Sequence, residues 1–270
     1  MSTTTTATRF AVSADGTRIA YDLTGTGPVL VIVEGALCHR GMGAAKTLTP
    51  ALRDHFTVVG YDRRGRGESS DTQPYAVQRE VEDLVAVLDA VGPDAFVFAA
   101  SSGAALALEA ARQGVPMRRL AVYEAPFIVD DTHAPNAPDL PEQIERLVAA
   151  DDRGGAVKLF MRTVGVPAPM LALMPLFPVW KGLKAVAHTL VHDFRIVLPF
   201  EQGEPLPVGH YGSVAAETIV IAGGKSPAYL QNAQAAIADQ LPHGRLLTLK
   251  GQTHMIKAKV TGPELVRFFV

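Results

Sequence analysis

A serine between an apolar run and a stretch of small residues is the sharpest chemical feature of the sequence. In Phe96-Val-Phe-Ala-Ala-Ser101-Ser102-Gly103 a buried strand would turn directly into a helix at Ser101. Such a turn brings the helix against the strand, so only small residues such as Ala99 and Gly103 fit two positions from the serine. The pattern predicts a nucleophile elbow in which the N–H group of Ser102 is an oxyanion donor. Simple helix capping by these serines is the alternative.

A histidine near the other end of the chain is the second candidate. His254 ends Lys250-Gly-Gln-Thr-His254, which comes after the last predicted strand and before the final helix. Because the carboxyl ends of parallel strands meet at one edge of a sheet, we expect His254 and Ser101 at the same edge. An imidazole there can act as general base for the serine. A structural or solvent-exposed histidine is the alternative.

The loop Glu34-Gly35-Ala36 follows the first buried strand and supplies further candidates. Glycine lets the backbone approach a ligand closely, so the N–H group of Ala36 is predicted as a second oxyanion donor. An ordinary strand-to-helix turn is the alternative. Glu34 would oppose a developing negative charge, so we expect it to turn away and pair with Arg63 or Arg64, or to fix the loop. A role for Glu34 as an unusual acid or base stays open.

Alternating strand and helix patterns surround these residues. Two β-rich stretches, 9–13 and 17–23, flank the turn Asp15-Gly16 and predict an antiparallel hairpin. Apolar runs of strand length then alternate with segments of helical periodicity, which predicts a parallel sheet with helices on both faces. The predicted strands are 29–33, 57–61, 95–99, 120–123, 218–222 and 245–249, and the predicted helices are 47–54, 80–91, 102–113, 229–240 and 263–269.

The alternation stops between residues 126 and 215, where proline is frequent and no convincing strand occurs. Long structureless loops are uncommon in compact domains, so this segment is predicted to be a helical lid over the carboxyl ends of the strands. Residues 9–125 and 216–270 then form the α/β core, and residues 1–8 a disordered tail. Trp180 is the predicted substrate contact. Other apolar lid residues are expected to face inward or to pack within the lid: Met161, Met170, Leu171, Met174, Phe177, Leu183 and Phe194.

The elbow, the Glu34-Gly35 loop and the terminal histidine occur in an order that resembles the α/β-hydrolase superfamily, from about residue 17 to residue 270. The turn Tyr61-Asp-Arg-Arg-Gly-Arg-Gly-Glu-Ser69 is similar to the Asp-x-x-Gly-x-Gly-x-Ser turn after the fourth strand of that superfamily. The resemblance implies the α/β-hydrolase fold, a mostly parallel twisted sheet with helices on both faces and a helical lid. It implies no cofactor and no metal.

The sequence departs from this superfamily at the acid of the catalytic triad. The usual position follows the strand predicted at 218–222, where Ala222-Gly-Gly-Lys-Ser226 has no carboxylate. Certain haloalkane dehalogenases place the acid after the strand that follows the nucleophile helix, and the matching residue here is Glu124. A carboxylate at the end of an apolar strand needs a partner, which we expect to be His254. Contact with substrate or lid is the alternative, and Asp130 and Asp131 are weaker candidates.

Composition limits the partners that we expect. The 270 residues are 48% hydrophobic and carry a formal net charge of −2, so overall charge favours neither nucleic acid nor an anionic membrane. The single cysteine, Cys38, excludes an intramolecular disulfide, and the polar residues after Met1 are not typical of a signal peptide. We expect a cytoplasmic monomer or homodimer that acts on a small hydrophobic molecule, with no nucleic acid and no membrane as partner.

These residues predict hydrolysis of an ester, thioester or lactone of a small to medium hydrophobic substrate through an acyl-enzyme. A serine at position 101 argues against the dehalogenases and epoxide hydrolases of the superfamily, which have aspartate there. The same scaffold hosts other reactions, so a lyase or cyclase that tailors a metabolite stays open. A ligand-binding protein that has lost its activity is a further alternative.

Overall fold

Eight strands form one mostly parallel sheet in the computed structural model, which describes residues 7–92 and 94–270. They are β1 (Arg9–Val12), β2 (Arg18–Thr24), β3 (Val29–Val33), β4 (Thr57–Tyr61), β5 (Phe96–Ala100), β6 (Arg119–Tyr123), β7 (Glu217–Gly223) and β8 (Gly244–Leu249). Their order across the sheet is β1-β2-β4-β3-β5-β6-β7-β8. The β1–β2 and β2–β4 pairings are antiparallel and the others are parallel. The predicted fold class is therefore confirmed.

Helices cover both faces of this sheet. They are α1 (Ala44–Leu52), α2 (Val77–Val91), α3 (Ser102–Arg112), α4 (Leu140–Ala149), α5 (Arg153–Thr163), α6 (Ala168–Leu173), α7 (Val179–Val186), α8 (Leu190–Val197), α9 (Ala228–Gln240) and α10 (Ala258–Phe269). One apolar layer contains residues of α1 and α10, and the opposite layer contains residues of α2, α3 and α9.

Strands β3 and β5, at the centre of the sheet, are apolar at every position because both of their faces are covered. In β3, Leu30 and Ile32 pack in the layer of α1 and α10, whereas Val31 and Val33 pack in the layer of α2 and α3. All four side chains are fully buried. Successive side chains of a strand point to opposite faces, so burial of both faces gives a continuous apolar run instead of an alternating one.

The predicted start of the final helix is wrong. The pattern predicts a final helix over 263–269, but α10 begins at Ala258 and contains Pro263 in its interior. Proline cannot donate the hydrogen bond that would reach the carbonyl of Lys259. Both Pro263 and Lys259 are exposed, so water can satisfy that carbonyl and the helix continues.

The segment between β6 and β7 contains α4 to α8 and no strand. We call residues 126–215 the helical insertion. It packs on the core chiefly where α8 meets α3 and α2. No single helix in the described residues has the length and apolar character needed to cross a membrane. The helical segments Ala168–Leu176 and Val179–Phe200 have that length and apolar character only when taken together, and a bend of 101° separates them.

The predicted disordered tail is described only in part, because residues 1–6 lie outside the described residues. Within the described part, Thr8 donates a hydrogen bond from Oγ1 to the carboxylate of Glu68 at 2.9 Å. Residue 8 therefore already contacts the turn that follows β4.

We predict that alanine has opposite effects at two helical glycines. A Cβ at Gly103 would lie 2.5 Å from the Glu34 carbonyl oxygen and 2.6 Å from that of Val33, so Gly103→Ala must push α3 away from β3. We expect a loss of about 1–3 kcal/mol in the free energy of unfolding. A Cβ at Gly182 in α7 meets nothing closer than 3.5 Å, so Gly182→Ala should add up to about 1 kcal/mol through helix propensity.

Chemical denaturation of the two variants beside the unmodified protein measures both changes. Equal effects of the two substitutions would contradict the close approach of α3 to β3.

Candidate active site

Ser101 occupies the turn between β5 and α3. Its backbone has φ 56° and ψ −128°, which residues other than glycine rarely adopt. Hydrogen bonds hold this turn, one from the Ser101 N–H to the Tyr123 carbonyl at 2.8 Å and one from the Ala104 N–H to the Ser101 carbonyl at 2.9 Å. Strained backbone persists only where its surroundings enforce it, and it is concentrated at functional sites. The half-buried Ser101 therefore has the position and the backbone of a nucleophile elbow.

Glu124 follows β6, and its side chain is fully buried. Its Oε1 accepts a hydrogen bond from the Gly223 N–H at 2.6 Å, and its Oε2 lies 2.9 Å from Nδ1 of His254. The backbone of Glu124 has φ 46°, again in the left-handed region. A buried carboxylate needs such partners because it has lost its hydration. The structure thus brings Glu124 and His254 together.

The loop that carries His254 is tied to the end of β6. The hydroxyl of Tyr123, the residue before Glu124, donates a hydrogen bond to the Thr253 carbonyl at 2.7 Å. The Glu124 N–H donates to the Ile221 carbonyl at 3.1 Å, which fixes the acid against β7. The side chain of His254 is 42% exposed, so its imidazole is accessible to a substrate while its partner is buried.

Ser101 and His254 lie at the same edge of the sheet, after β5 and β8, with Glu124 between them after β6. In the described part of the chain the Ser101 hydroxyl makes no hydrogen bond with His254. A contact between nucleophile and base often tightens only in the complex with substrate. The structure therefore joins Glu124 to His254 directly and places Ser101 at the same edge of the sheet.

The end of β7 has no carboxylate in contact with His254. Ser226 lies near the position after β7 where the superfamily usually has its acid, and its Oγ is buried without a hydrogen-bond partner among the described residues. Its neighbour Gly223 contributes its N–H to Glu124 instead. The end of β7 thus supplies a hydrogen-bond donor for an acid located on the neighbouring strand.

The two predicted oxyanion donors belong to segments that adjoin Ser101. The Ser102 N–H is the first of α3 and belongs to the N–H groups that have no partner within the helix. Ala36 follows Gly35, where an added Cβ would lie only 2.9 Å from the Cβ of Ser101. The Gly35 loop therefore touches the nucleophile. The Ser102 side chain is not part of this arrangement, because it is buried and donates to Asp193 at 2.7 Å.

Two buried arginines hold the loop of Ala36 by its carbonyl groups. Arg66 donates from Nη1 to the Gly35 carbonyl at 2.7 Å and to the Cys38 carbonyl at 3.1 Å. Arg63 donates from Nη1 to the Glu34 carbonyl at 3.2 Å. Guanidinium groups offer several donors in a rigid plane, so each can bind a carbonyl and a carboxylate at once.

Asp193 of α8 balances the charge of these arginines from within the helical insertion. Its Oδ1 lies 2.8 Å from Nη1 of Arg63, and its Oδ2 lies 2.7 Å from Nη2 of Arg66. Burial would raise the pKa of Asp193, but the two guanidinium groups outweigh it and hold the pKa below its usual value. Arg63 also pairs with Glu80, whose pKa falls to about 2 against the effect of burial. Asp193 is therefore ionised and links the insertion to the loop.

Asp193 and Arg66 were missed by the sequence analysis, although a signal for them exists. Asp193 is the only carboxylate between residues 153 and 200 and stands in the largely apolar helix Leu190–Val197. Three arginines lie in the turn at residues 63–66 after a buried strand. A lone acid on an apolar helix and a cluster of arginines in a buried turn each require a partner of opposite charge.

The expected pairing of Glu34 with Arg63 or Arg64 is wrong for its carboxylate. Both carboxylate oxygens accept hydrogen bonds from the N–H groups of Ala44 and Ala45 at the start of α1, at 2.8 and 2.7 Å. Burial raises the pKa of Glu34 to about 7, although these hydrogen bonds favour the charged form. Unpaired N–H groups at a helix start attract a carboxylate, so Glu34 fixes its loop through α1. Arg64 pairs with Asp83 at 2.7 Å instead.

Trp180 makes its described contacts within the helical insertion, against Gly154 and Lys158 of α5. The expectation that Met170 and Phe177 face inward is wrong, because they are 56% and 55% exposed. Prolines break this region into short helices, and only one stripe of each can pack on the rest. Of the other apolar residues predicted there, Leu171, Leu183 and Phe194 are buried and Met161 and Met174 are half-buried.

The described residues hold no group of three or more His, Cys, Asp or Glu side chains that could bind a metal ion. Asp130 and Asp131, the weaker candidates for the acid, lie in the loop after β6. Asp130 binds Asn232 at 2.7 Å, and Asp131 is exposed. Neither contacts His254.

Comparison with known proteins gives a consistent result. A sequence model of the alpha/beta hydrolase family matches residues 35–256. The chain is 44% identical to an alpha/beta hydrolase from Sphaerobacter thermophilus DSM 20745, whose crystal structure aligns with a TM-score of 0.89 over 97% of this chain and 100% of that one. An esterase from Exiguobacterium antarcticum shares the fold, with a TM-score of 0.72 and 16% identity over 97% and 99% of the two chains.

A curated relative matches over a shorter region. The chain is 28% identical over 153 residues to the uncharacterized hydrolase YraK of Bacillus subtilis (strain 168). This match covers 54% of the present chain and 55% of the relative, so the chain spans about half the length of that protein.

We predict that Asp193→Asn loosens the loop of Ala36. The substitution leaves Arg66 without an ionic partner among the described residues, and breaking a buried pair costs about 3–5 kcal/mol. Amide hydrogen exchange should accelerate at residues 35–38 more than at β8. The measurement is hydrogen exchange followed by mass spectrometry of proteolytic peptides.

Asp83→Asn is the matched control, because it breaks the equally buried pair with Arg64, which does not touch that loop. Equal acceleration at residues 35–38 in both variants would show only general destabilisation and would contradict the role given to Asp193.

Proposed function

Because the chain belongs to the alpha/beta hydrolase family, we propose that it is a serine hydrolase that cleaves an ester, thioester or lactone through an acyl-enzyme. The observation that carries this proposal is the contact between Glu124 and Nδ1 of His254 at 2.9 Å. A buried carboxylate that accepts from Nδ1–H leaves the other ring nitrogen free to receive a proton. Ser101 lies at the same edge of the sheet, in a backbone conformation suited to a nucleophile.

In the proposed reaction His254 takes the proton of the Ser101 hydroxyl as Oγ attacks the carbonyl carbon of the substrate. The N–H groups of Ser102 and Ala36 bind the oxygen that becomes negative. Glu124 stabilises the imidazolium without taking its proton. His254 then gives the proton to the leaving group, at the oxygen of an alcohol or the sulfur of a thiol, and Ser101 keeps the acyl group. Water releases the acid in a second step, with His254 again acting as base.

The helical insertion serves as a lid in this proposal. Its helix α8 contacts the start of α3 through the hydrogen bond from Ser102 to Asp193, so the insertion adjoins the edge of the sheet that carries Ser101. Its interior is apolar, with Leu171, Leu183 and Phe194 buried. These features support a small to medium hydrophobic acyl substrate. We also propose a cytoplasmic location, which a chain with a single cysteine is compatible with.

We predict that Glu124→Gln lowers kcat for p-nitrophenyl esters by about 10³- to 10⁴-fold, since an amide neither selects the correct tautomer nor stabilises the imidazolium. Ser101→Ala and His254→Ala should lower kcat further, by about 10⁶-fold, because each removes a group that the acylation step cannot do without. A series from acetyl to octanoyl esters, followed by release of p-nitrophenol, gives kcat and KM for each variant.

Asp131→Asn is the control for this series, because it removes a nearby exposed carboxylate that does not contact His254. We expect its kcat to stay within about twofold, as for most surface substitutions. Loss of kcat in Glu34→Gln but not in Glu124→Gln would assign the acid to Glu34. Full activity of Ser101→Ala would exclude the acyl-enzyme and favour a lyase or cyclase. An inactive wild type that binds acyl analogues in calorimetry would favour a ligand-binding protein.

A further inference from the structure

The helical insertion exposes an apolar surface that the proposed reaction does not use. Residues 163–180 carry no charged side chain. Six large apolar residues of this region are between 48% and 79% exposed: Val164, Met170, Leu173, Leu176, Phe177 and Val179. Exposed apolar residues usually occur singly, and a larger group marks a surface that contacts something else. We call these six residues the apolar tip.

Positive charge borders the apolar tip. Residues 153–192 contain no Asp or Glu. They contain five cationic residues, which we call the cation belt: Arg153, Lys158, Arg162, Lys181 and Lys184. Within the described residues none of the five pairs with a carboxylate, although paired arginines occur in other parts of the structure. The belt is therefore free to bind anions from outside the molecule.

Contacts between α5 and α7 gather part of this belt around Trp180. Nζ of Lys158 lies 5.9 Å from the centre of the Trp180 ring, and both Trp180 and Lys184 approach Gly154. Arg153 donates from Nη1 to the Ala185 carbonyl at 3.1 Å. The belt and the tip are also adjacent along the chain, where Arg162 precedes the uncharged region and Lys181 follows it. The insertion thus combines apolar side chains, an aromatic ring and unpaired cations.

We propose that the apolar tip and the cation belt bind the surface of an anionic lipid bilayer. Apolar side chains of an interfacial segment enter the boundary between headgroups and acyl chains, while lysine and arginine bind lipid phosphates. The segment lies on the bilayer and does not cross it, because Asp193 of the following helix is held in the core by Arg63 and Arg66.

Charge decides between a lipid surface and a second copy of the chain. A symmetric dimer through the apolar tip would bring two identical surfaces together. It would set one cation belt beside the other without carboxylates from residues 153–192 to separate them. Like charges across an interface are costly, whereas an anionic lipid surface is complementary to the belt.

The expectation of no membrane partner was based on the formal net charge of −2, which averages over the whole chain. That average conceals a local excess of positive charge, because residues 153–192 contain five cationic residues and no Asp or Glu. Binding at a lipid surface follows local charge, since screening limits each interaction to about 10 Å at moderate salt. The inference is independent of the acyl-enzyme, because it uses none of the catalytic residues.

Co-sedimentation with vesicles tests the proposal. The full chain should sediment with vesicles of phosphatidylcholine and phosphatidylglycerol, and not with phosphatidylcholine alone. Leu176→Glu with Phe177→Glu should weaken binding at least about tenfold, because charge is excluded from the acyl boundary. Lys181→Glu with Lys184→Glu should weaken it similarly, and raising the salt from about 0.1 to 0.5 M should release the protein.

Val208→Glu is the matched control, since Val208 is a fully exposed apolar residue outside the apolar tip. It should bind as the unmodified chain does, and thermal unfolding of each variant checks that its fold is intact. Three results would each overturn the proposal. They are absence of binding to anionic vesicles, unchanged binding after Leu176→Glu with Phe177→Glu, and a dimer in analytical ultracentrifugation that these two substitutions dissociate.

Discussion

The interaction of Asp193 with Arg63 and Arg66 joins three parts of the structure that are distant in sequence. Asp193 belongs to α8 of the helical insertion, the arginines belong to the turn after β4, and their remaining donors hold the carbonyls of the loop after β3. Ser102 at the start of α3 binds the same carboxylate. Removing charges from water costs several kcal/mol per ion, so these groups are stable only together. The position of Ser102 and Ala36, the proposed oxyanion donors, therefore depends on the insertion being in place.

Glu124, the proposed acid, follows β6, and a parallel sheet allows a carboxylate at the end of either neighbouring strand to reach the same histidine. The ends of β6, β7 and β8 lie side by side, so a carboxylate after β6 reaches the histidine that follows β8. The end of β7 contributes the Gly223 N–H, which binds the carboxylate of Glu124 at 2.6 Å. The histidine requires a buried acceptor for its Nδ1–H, and either strand end can supply that acceptor.

Much of the fold could be predicted because continuous apolar runs and helical periodicity report burial directly. The elbow and the final histidine were also identifiable, since their chemistry needs small residues around a serine and a polar loop after a strand. Asp193 was not found, because its partners lie far away in sequence and a pattern within one helix does not reveal them. The exposure of Met170 and Phe177 was missed for a related reason, as apolar character indicates packing without saying what packs against it.

We propose that Glu124 and His254 activate Ser101 as a nucleophile. The rate of phosphorylation by diisopropyl fluorophosphate, a reagent small enough to pass beneath a lid, tests it most directly when intact mass and peptide mapping locate the adduct. We expect one adduct, on Ser101, in the unmodified chain and in Asp131→Asn, formed at least about 10²-fold more slowly in Glu124→Gln. An adduct that forms equally fast in Glu124→Gln, or no adduct on Ser101 of the folded unmodified chain, would contradict it.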